Sequence, residues 1–330
     1  MFLKIIFFLQ NISLFILFLI KLIIFISNIK IISYQKKDKI RLAIYSYGLK
    51  GGGTERVSAL LLNYLYIENI FHLYVFTQRG IEEKEYQIPT DIDRVNINEK
   101  NSPQIFKRKL KVMKIDILIY QFPHGDEIKI INTLEKLKII IYSHFCFLTW
   151  IYFYDIHYFS TLYESYKESK YIVSLVEFEN NYIFKQWGIN SILMDNLVTY
   201  EYNNVTPSDL SHKTILMIGR ASDRFKRFEL GIQAMQYIIK EVKDSKLKII
   251  SNLKKLSKLK ALIKELELKE KVFFIGYVLN LDDFFKTPSL HIFPTVSEAF
   301  PMVLCETKVF GIPNTINNYR LFDNILLKHN

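Results

Sequence analysis

From Lys39 onward the chain alternates short runs of β-branched and aromatic residues with longer amphipathic stretches, and this alternation constrains the fold more than any other feature. Strands separated by helices pair in parallel, because a parallel neighbour is reached by a crossover and not by a hairpin. Candidate strands are Ile40–Tyr45, Leu73–Thr77, Ile115–Tyr120, Lys138–Tyr142, Tyr171–Ser174 and Ser191–Met194, with helices over Glu55–Ile67, Phe106–Lys114, Ile128–Lys136 and Phe178–Trp187. After the polar stretch Tyr200–His212 the alternation restarts. Strands Thr214–Ile218, Leu247–Ile250, Val272–Ile275 and Leu290–Phe293 interleave with helices Phe228–Val242, Lys254–Leu268, Leu281–Lys286 and Met302–Phe310. The pattern predicts an α/β protein of two Rossmann-like domains, 39–205 and 206–330, which suits a length of 330 residues. Ligands of such sheets bind beyond the carboxyl ends of the strands, so the cleft between the domains is the expected site.

The first 38 residues follow a different pattern. Ile5 to Ile32 is almost continuously apolar, and Ile12–Ile26 with its flanks is long enough to cover a bilayer core if Lys21 snorkels. A cleaved signal peptide wants a small-residue cleavage site, and no alanine precedes Ala43. The expectation is therefore an uncleaved membrane anchor with a basic flank over residues 1–38. Lys30, Lys36, Lys37, Lys39 and Arg41 follow the span and outnumber Lys4 before it, which would leave the catalytic domain in the cytosol. The net charge of +11 invites a nucleic-acid reading, but the lysines are scattered and form no dense tract. A basic balance equally suits anionic head groups and a phosphorylated ligand.

Chemistry concentrates near the end of the chain, in Thr295-Val-Ser-Glu298-Ala-Phe-Pro301-Met-Val-Leu-Cys-Glu306 and the following Gly311-Ile-Pro313. Pro301 suits the first turn of a helix, and Gly311 with Pro313 marks its stop. Glu298 then lies in the loop before a short helix, with Glu306 about a turn and a half inside it. The free amides near Met302–Leu304 between them offer an anion site. Phosphate in the middle, with a carboxylate on either side for sugar hydroxyls, is the shape of a nucleotide-sugar site. Earlier, Ile215–Ile218 ends at Gly219, which places Arg220 at a strand's carboxyl end and Lys226 just before the next helix. Both cations face the crevice in which a diphosphate would lie.

In the first half, Ser46-Tyr-Gly48-Leu-Lys-Gly51-Gly52-Gly53-Thr54-Glu55-Arg56-Val57 follows a strand and opens a helix. It has neither the dinucleotide fingerprint nor the P-loop spacing, so a tight turn near a ligand and a plain connection both remain open. His144 ends the strand Lys138–Tyr142 at the cleft edge, and His124 is a second candidate for the same cleft. No ligand set stands at metal spacing and no nucleophile elbow is present, so neither a protein-held metal nor serine-hydrolase chemistry is expected.

Taken together, these segments resemble the group 1 family of retaining nucleotide-sugar glycosyltransferases, from about Ile40 to Pro313. Glu298 and Glu306, with seven residues between them and flanked by Phe-Pro-Met-Val and Gly-x-Pro, resemble its paired-glutamate signature. Gly219-Arg220 with Lys226, Phe274-Ile-Gly276-Tyr277, the Gly52–Val57 turn and His144 resemble further family motifs. The resemblance implies the two-domain GT-B architecture and a role in glycan biosynthesis. It implies that Arg220 and Lys226 neutralise the departing diphosphate, that Glu306 holds the ribose and that Glu298 holds the transferred sugar. Amides from Phe300, Pro301's neighbour Met302 and Val303 would bind sugar and phosphate, while His144 orients the sugar. Gly53 would shape the turn against the donor, and Gly219, Gly276 and Tyr277 would line the nucleotide. No cofactor is implied beyond the nucleotide-sugar as donor substrate. The implied partners are a UDP- or GDP-sugar, a glycan or lipid-linked acceptor and the membrane, with no nucleic acid. Two departures stand out. Ser251-Asn-Leu follows Leu247–Ile250 where the family has a glycine turn, and the chain stops at Asn330 where relatives continue with further strands and helices. An incomplete second domain is therefore expected, and the rival reading is an inactive truncated remnant that binds nucleotide sugar or a partner protein.

Overall fold

A computed structural model describes residues 39–97, 102–122, 131, 133–144, 156–169, 171–200 and 205–317. The first sheet holds β1 (Ile40–Ser46), β2 (Phe71–Thr77), β3 (Asp93–Asn96), β4 (Ile117–Tyr120), β5 (Lys138–Tyr142), β6 (Tyr171–Ser174) and β7 (Ile192–Leu193), in the order β3-β2-β1-β4-β5-β6-β7. All of its pairings are parallel, and β1 and β2 run in register from Ile40 opposite Phe71 to Ser46 opposite Thr77. Helices α1 (Gly53–Ile67), α2 (Ser102–Val112), α3 (Ile156–Glu168) and α4 (Glu177–Trp187) provide crossovers. The second sheet has the order β10-β9-β8-β11-β12, again all parallel. Its strands are β8 (His212–Ile218), β9 (Lys246–Ile250), β10 (Val272–Phe274), β11 (Pro288–Phe293) and β12 (Asn314–Ile316). Helices α5 (Phe228–Glu241), α6 (Ser257–Glu265), α7 (Asp282–Phe285) and α8 (Met302–Val309) connect them.

Burial on both faces explains the near-continuous apolar runs that mark these strands in the sequence. In β1, Leu42 and Ile44 point into one core with α1, while Ala43 and Tyr45 point into the opposite core with Phe106 of α2 and Leu162 and Tyr166 of α3. In α1, Val57, Leu61, Leu62 and Leu65 recur at helical spacing on the buried face. In the second sheet Ile215 and Met217 face α5 and α6, and Leu216 faces Phe285 and Phe310. The first of these cores also takes in Phe293, Ala299, Phe300, Met302 and Leu304, so α8 and the loop before it pack against the first domain. Burying a side chain of this size contributes about 1.5–3 kcal/mol, and this shared core holds the two N-termini of α1 and α8 together.

Three elements escape the apolar pattern. The strand β3 is an edge strand, Asp-Arg-Val-Asn, in which only Val95 is buried; charged edges guard against pairing with other chains. The helix α3 is rich in aromatic and hydroxyl residues of modest helix propensity. The strand β12 is three residues long and follows the Gly311 stop directly. The helix expected over Ile128–Lys136 falls largely outside the described residues, as do His124 and the anchor expected over residues 1–38. Among the described residues no helix is long and apolar enough to cross a membrane. The expectation of a single N-terminal span with the catalytic domain in the cytosol is corrected accordingly, and with it the membrane as a partner.

Candidate functional site

Both sheets reverse their strand order beside their first strand, between β1 and β4 and between β8 and β11. At such switch points the connections diverge and leave a crevice. The segments after β1, β5, β8 and β11 carry the glycine turn, His144, Gly219-Arg220 and Glu298 respectively.

The chain leaves β8 through Gly219, whose φ of +150° is strained for any residue with a side chain. Arg220 follows with 71% of its side chain exposed, 3.9 Å from Asp223. Asp223 also accepts from the backbone N–H of Phe225 at 3.0 Å and so opens a single 3₁₀ turn, Arg224–Lys226. The loop after β11 is zipped to that turn: the backbone N–H of Val296 and the hydroxyl of Thr295 both donate to the carbonyl of Phe225, at 2.9 and 3.1 Å. This brings Lys226 onto Glu298, and the two form an ion pair in which the side chains are 16% and 12% exposed. The ammonium also lies 5.5 Å from the centre of the Phe293 ring. Two of the sequence-predicted residues thus meet directly.

Glu306 is 2% exposed, on the inner face of α8. Its Oε1 accepts from the guanidinium of Arg56, in the first turn of α1, and from the Thr199 hydroxyl at 2.8 Å. Burial raises the Glu306 pKa and the Arg56 charge pulls it back down. Burial lowers the Arg56 pKa, but Glu306 and Tyr86 together outweigh it and the guanidinium stays charged. The Arg56 guanidinium also stacks 5.1 Å from the Tyr86 ring centre. Neither Gly52 nor Pro301, the caps of α1 and α8, offers a side-chain bond to its helix. A methyl placed on Gly53 would stand 3.5 Å from Met302 Cγ, so the open ends of the two helices face each other at van der Waals range. Phe300, Pro301 and Met302 are buried and Val303 is partly so.

Gly276, with φ +96°, turns the chain after β10 and delivers Tyr277 to the same junction. The Tyr277 hydroxyl is buried beside Tyr86 and the backbone of Gly51, and burial first, then Tyr86, raises its pKa. Lys50 Nζ lies 6.0 Å from its ring centre. Glu55, also in the first turn of α1, has a pKa raised by burial and opposed in part by the charges of Arg220 and Arg79. Arg220 therefore acts on the first domain as well as on its own loop. Ser251, standing where a glycine was expected, uses its hydroxyl to accept the backbone N–H of Ala221 at 2.9 Å and steadies the Arg220 loop.

His144 stands apart from these pairs. Its ring tilts against Tyr142, centre to centre 4.3 Å, and its Nε2 is buried with no hydrogen-bond partner among the described residues. Burial lowers its pKa to about 3, which keeps the imidazole neutral. No described contact joins it to Glu298 or Arg220. Sequence reasoning passed over Arg56, Thr199 and Tyr86. Arg56 was within reach, since it sits three residues beyond Gly53 at the start of an expected helix; Thr199 carries no local signal.

Residues 200–329 match the family model described as glycosyl transferases group 1. This part of the chain is similar to a group 1 glycosyltransferase domain. A curated relative from Haemophilus influenzae, described as an uncharacterized glycosyltransferase, is 27% identical over 146 residues, which make up 43% of this chain and 40% of the relative's length. The fold is that of solved glycosyltransferases. A variant of S. aureus TarM in complex with fondaparinux, alpha-GlcNAc-glycerol and UDP superposes with a TM-score of 0.72 at 11% identity, over 87% of both chains. Sucrose-phosphate synthase from Thermosynechococcus elongatus gives 0.71 at 13% identity, over 85% of this chain and 82% of that one. Gly219, Glu298 and Glu306 all fall within the residues that the family model matches.

Proposed function

We propose that the chain is a retaining glycosyltransferase that takes a sugar from a UDP- or GDP-sugar and passes it to a hydroxyl of a glycan acceptor. The observation that carries the reading is the pairing of each signature carboxylate with its own cation, Glu298 with Lys226 and Glu306 with Arg56, at the facing N-termini of α1 and α8. In this reading the diphosphate lies toward the α8 N-terminus, where free amides and the helix dipole favour an anion. Lys226 and Arg220 take up the charge that grows on the leaving diphosphate as the bond from the anomeric carbon breaks. The acceptor oxygen forms its bond on the same face, and its proton passes to the departing phosphate oxygen. Neutral His144, as an uncharged donor near the sugar, orients it without adding positive charge to an oxocarbenium-like centre. Glu298 accepts sugar hydroxyls, and neither glutamate acts as a covalent nucleophile.

The test is a panel of labelled UDP- and GDP-sugars incubated with the full chain, with product configuration read by NMR. Slow hydrolysis or transfer from one donor, with the anomeric configuration retained and at least a hundredfold loss in Lys226→Met, is the expected result. Binding without any turnover favours the donor-binding remnant, and no binding of any nucleotide sugar refutes the reading.

A further inference from the structure

Among the described residues Arg56 is the one cation of the cleft that comes from the first domain and touches a signature carboxylate of the second. It stands in the first turn of α1, where its backbone N–H donates to the carbonyl of Gly52 at 3.1 Å, so the glycine turn fixes its starting point. Its guanidinium is held on three sides: by Glu306 from α8, by the Thr199 hydroxyl at 3.5 Å, and by the face of the Tyr86 ring. Thr199 in turn donates to Glu306 at 2.8 Å. Among the described residues both bonds to this carboxylate fall on Oε1, and Oε2 takes none. A carboxylate gripped on one oxygen by two donors has lost its rotational freedom, while its second oxygen keeps full capacity as an acceptor.

We infer that Arg56 is a positioning residue for donor selection: together with Thr199 it fixes Glu306 through Oε1, so that Oε2 receives a ribose hydroxyl of a nucleoside diphosphate. The inference rests on the donor reading above and deepens it, because it assigns the discrimination between ribose and deoxyribose to a residue of the opposite domain. Glu306 is buried deeply enough that, without a neighbouring cation, the neutral acid gains at the expense of the carboxylate. A neutral, freely rotating acid is a weaker and less selective acceptor for a diol. Arg56 supplies both the charge and the fixed orientation. It also ties ribose recognition to the approach of the two domains, since α1 and α8 belong to different sheets.

The experiment measures calorimetric affinities of UDP and GDP and of their 2′-deoxy and 3′-deoxy counterparts for the wild type, Arg56→Met, Arg56→Lys and Thr199→Val. The wild type should prefer a ribonucleotide over one of its deoxy counterparts by about ten- to a hundredfold, the range of one hydrogen bond to a charged group. Arg56→Met should lose most of that preference by weakening ribonucleotide binding while leaving the deoxy affinity nearly unchanged. Arg56→Lys should restore part of the preference, because a point charge replaces the fork. Thr199→Val should shift it in the same direction by a smaller factor and guards against a general opening of the junction. If Arg56→Met keeps the wild-type preference, or binds UDP more tightly because the arginine was merely blocking Glu306, the inference is overturned while the donor reading stands. If the wild type binds nucleoside diphosphates without discriminating ribose from deoxyribose, the inference again falls alone. If it binds none of them, both fall.

Discussion

Glu179 lies fully buried in the first turn of α4, away from the carboxylate pairs of the cleft. Its Oε1 accepts from the Ser143 hydroxyl at 2.8 Å and the Tyr166 hydroxyl at 3.3 Å, and Oε2 is buried with no partner among the described residues. Among the described residues no cation offsets this, so burial raises its pKa from 4.5 to about 8, against a smaller opposing pull from the two hydroxyls. The unfolded chain releases this proton near 4.5, whereas the folded chain keeps it until about 8. Across that window the native state binds the extra proton, so stability is fully present below pH 4.5, falls as the pH rises and levels off above 8. A gap of 8 − 4.5 = 3.5 pH units at about 1.4 kcal/mol each sets a ceiling of about 5 kcal/mol on the loss. Glu179→Gln keeps the shape and the Oε1 acceptor but cannot ionise. Urea unfolding at a series of pH values between 4 and 9 measures the effect, followed by Trp187 fluorescence, because that indole packs edge-on to Tyr166 at 5.7 Å. The variant should match the wild type within about 1 kcal/mol at pH 4–5 and exceed it by several kcal/mol at pH 8–9. Other titrating groups are common to both proteins and cancel in the difference. Parallel stability curves would refute the assignment of a neutral buried acid.

Two further substitutions probe the second sheet. A methyl group on Gly231 would stand 2.3 Å from Met217 Sδ and 2.7 Å from its Cε, in a core where Met217 has no exposed surface. Gly231→Ala should therefore lower stability by about 1–3 kcal/mol despite a better helix residue, and thermal unfolding should show most of that loss missing in a Met217→Ala background. Ser251→Ala removes the acceptor for the Ala221 N–H. It should cost about 1–3 kcal/mol and weaken nucleoside-diphosphate binding through the loosened Arg220 loop, whereas unchanged UDP affinity by calorimetry would dissociate Ser251 from the site.

The parts of this molecule that could be read from the sequence are those where one residue type answers to one local requirement. Strands β5 and β6 fall where the apolar runs Lys138–Tyr142 and Tyr171–Ser174 put them, because a strand buried on both faces admits little else. Pro301 and Gly311 bracket α8 as expected, Pro301 serving as the N-cap and Gly311 turning the chain at φ +68°. The start of α6 moved inward from Lys254 to Ser257, since Lys255 takes a positive φ of 58° that ends any helix there. The strand β3 was invisible because its stability comes from pairing with β2 and not from its own side chains. The site divides the same way. Glycine turns and spaced glutamates announce themselves, while Arg56 and Thr199, 250 and 107 residues from Glu306 in sequence, acquire meaning only when the fold brings them to it.

The balance of charge in the cleft bears on how a donor would enter. The chain carries 44 lysines and arginines against 33 acidic residues, yet three cleft cations are already matched: Lys226 to Glu298, Arg56 to Glu306, and Arg220 to Asp223 and, at longer range, Glu55. The excess lies elsewhere, so net charge supplies long-range attraction for an anion but not its binding site. On the proposed reading, a diphosphate gains Lys226 only by drawing it from Glu298. Leaving a carboxylate that is 12% exposed without a partner is unfavourable by itself. The sugar hydroxyls carried by the same donor fill that vacancy, so breaking one internal pair creates two contacts with one ligand. Phosphate alone takes the lysine and strands the glutamate; free sugar meets a glutamate whose charge is already engaged. On that reading only a ligand that joins phosphate to sugar satisfies both, and the Lys226–Glu298 pair would then select for nucleotide sugars.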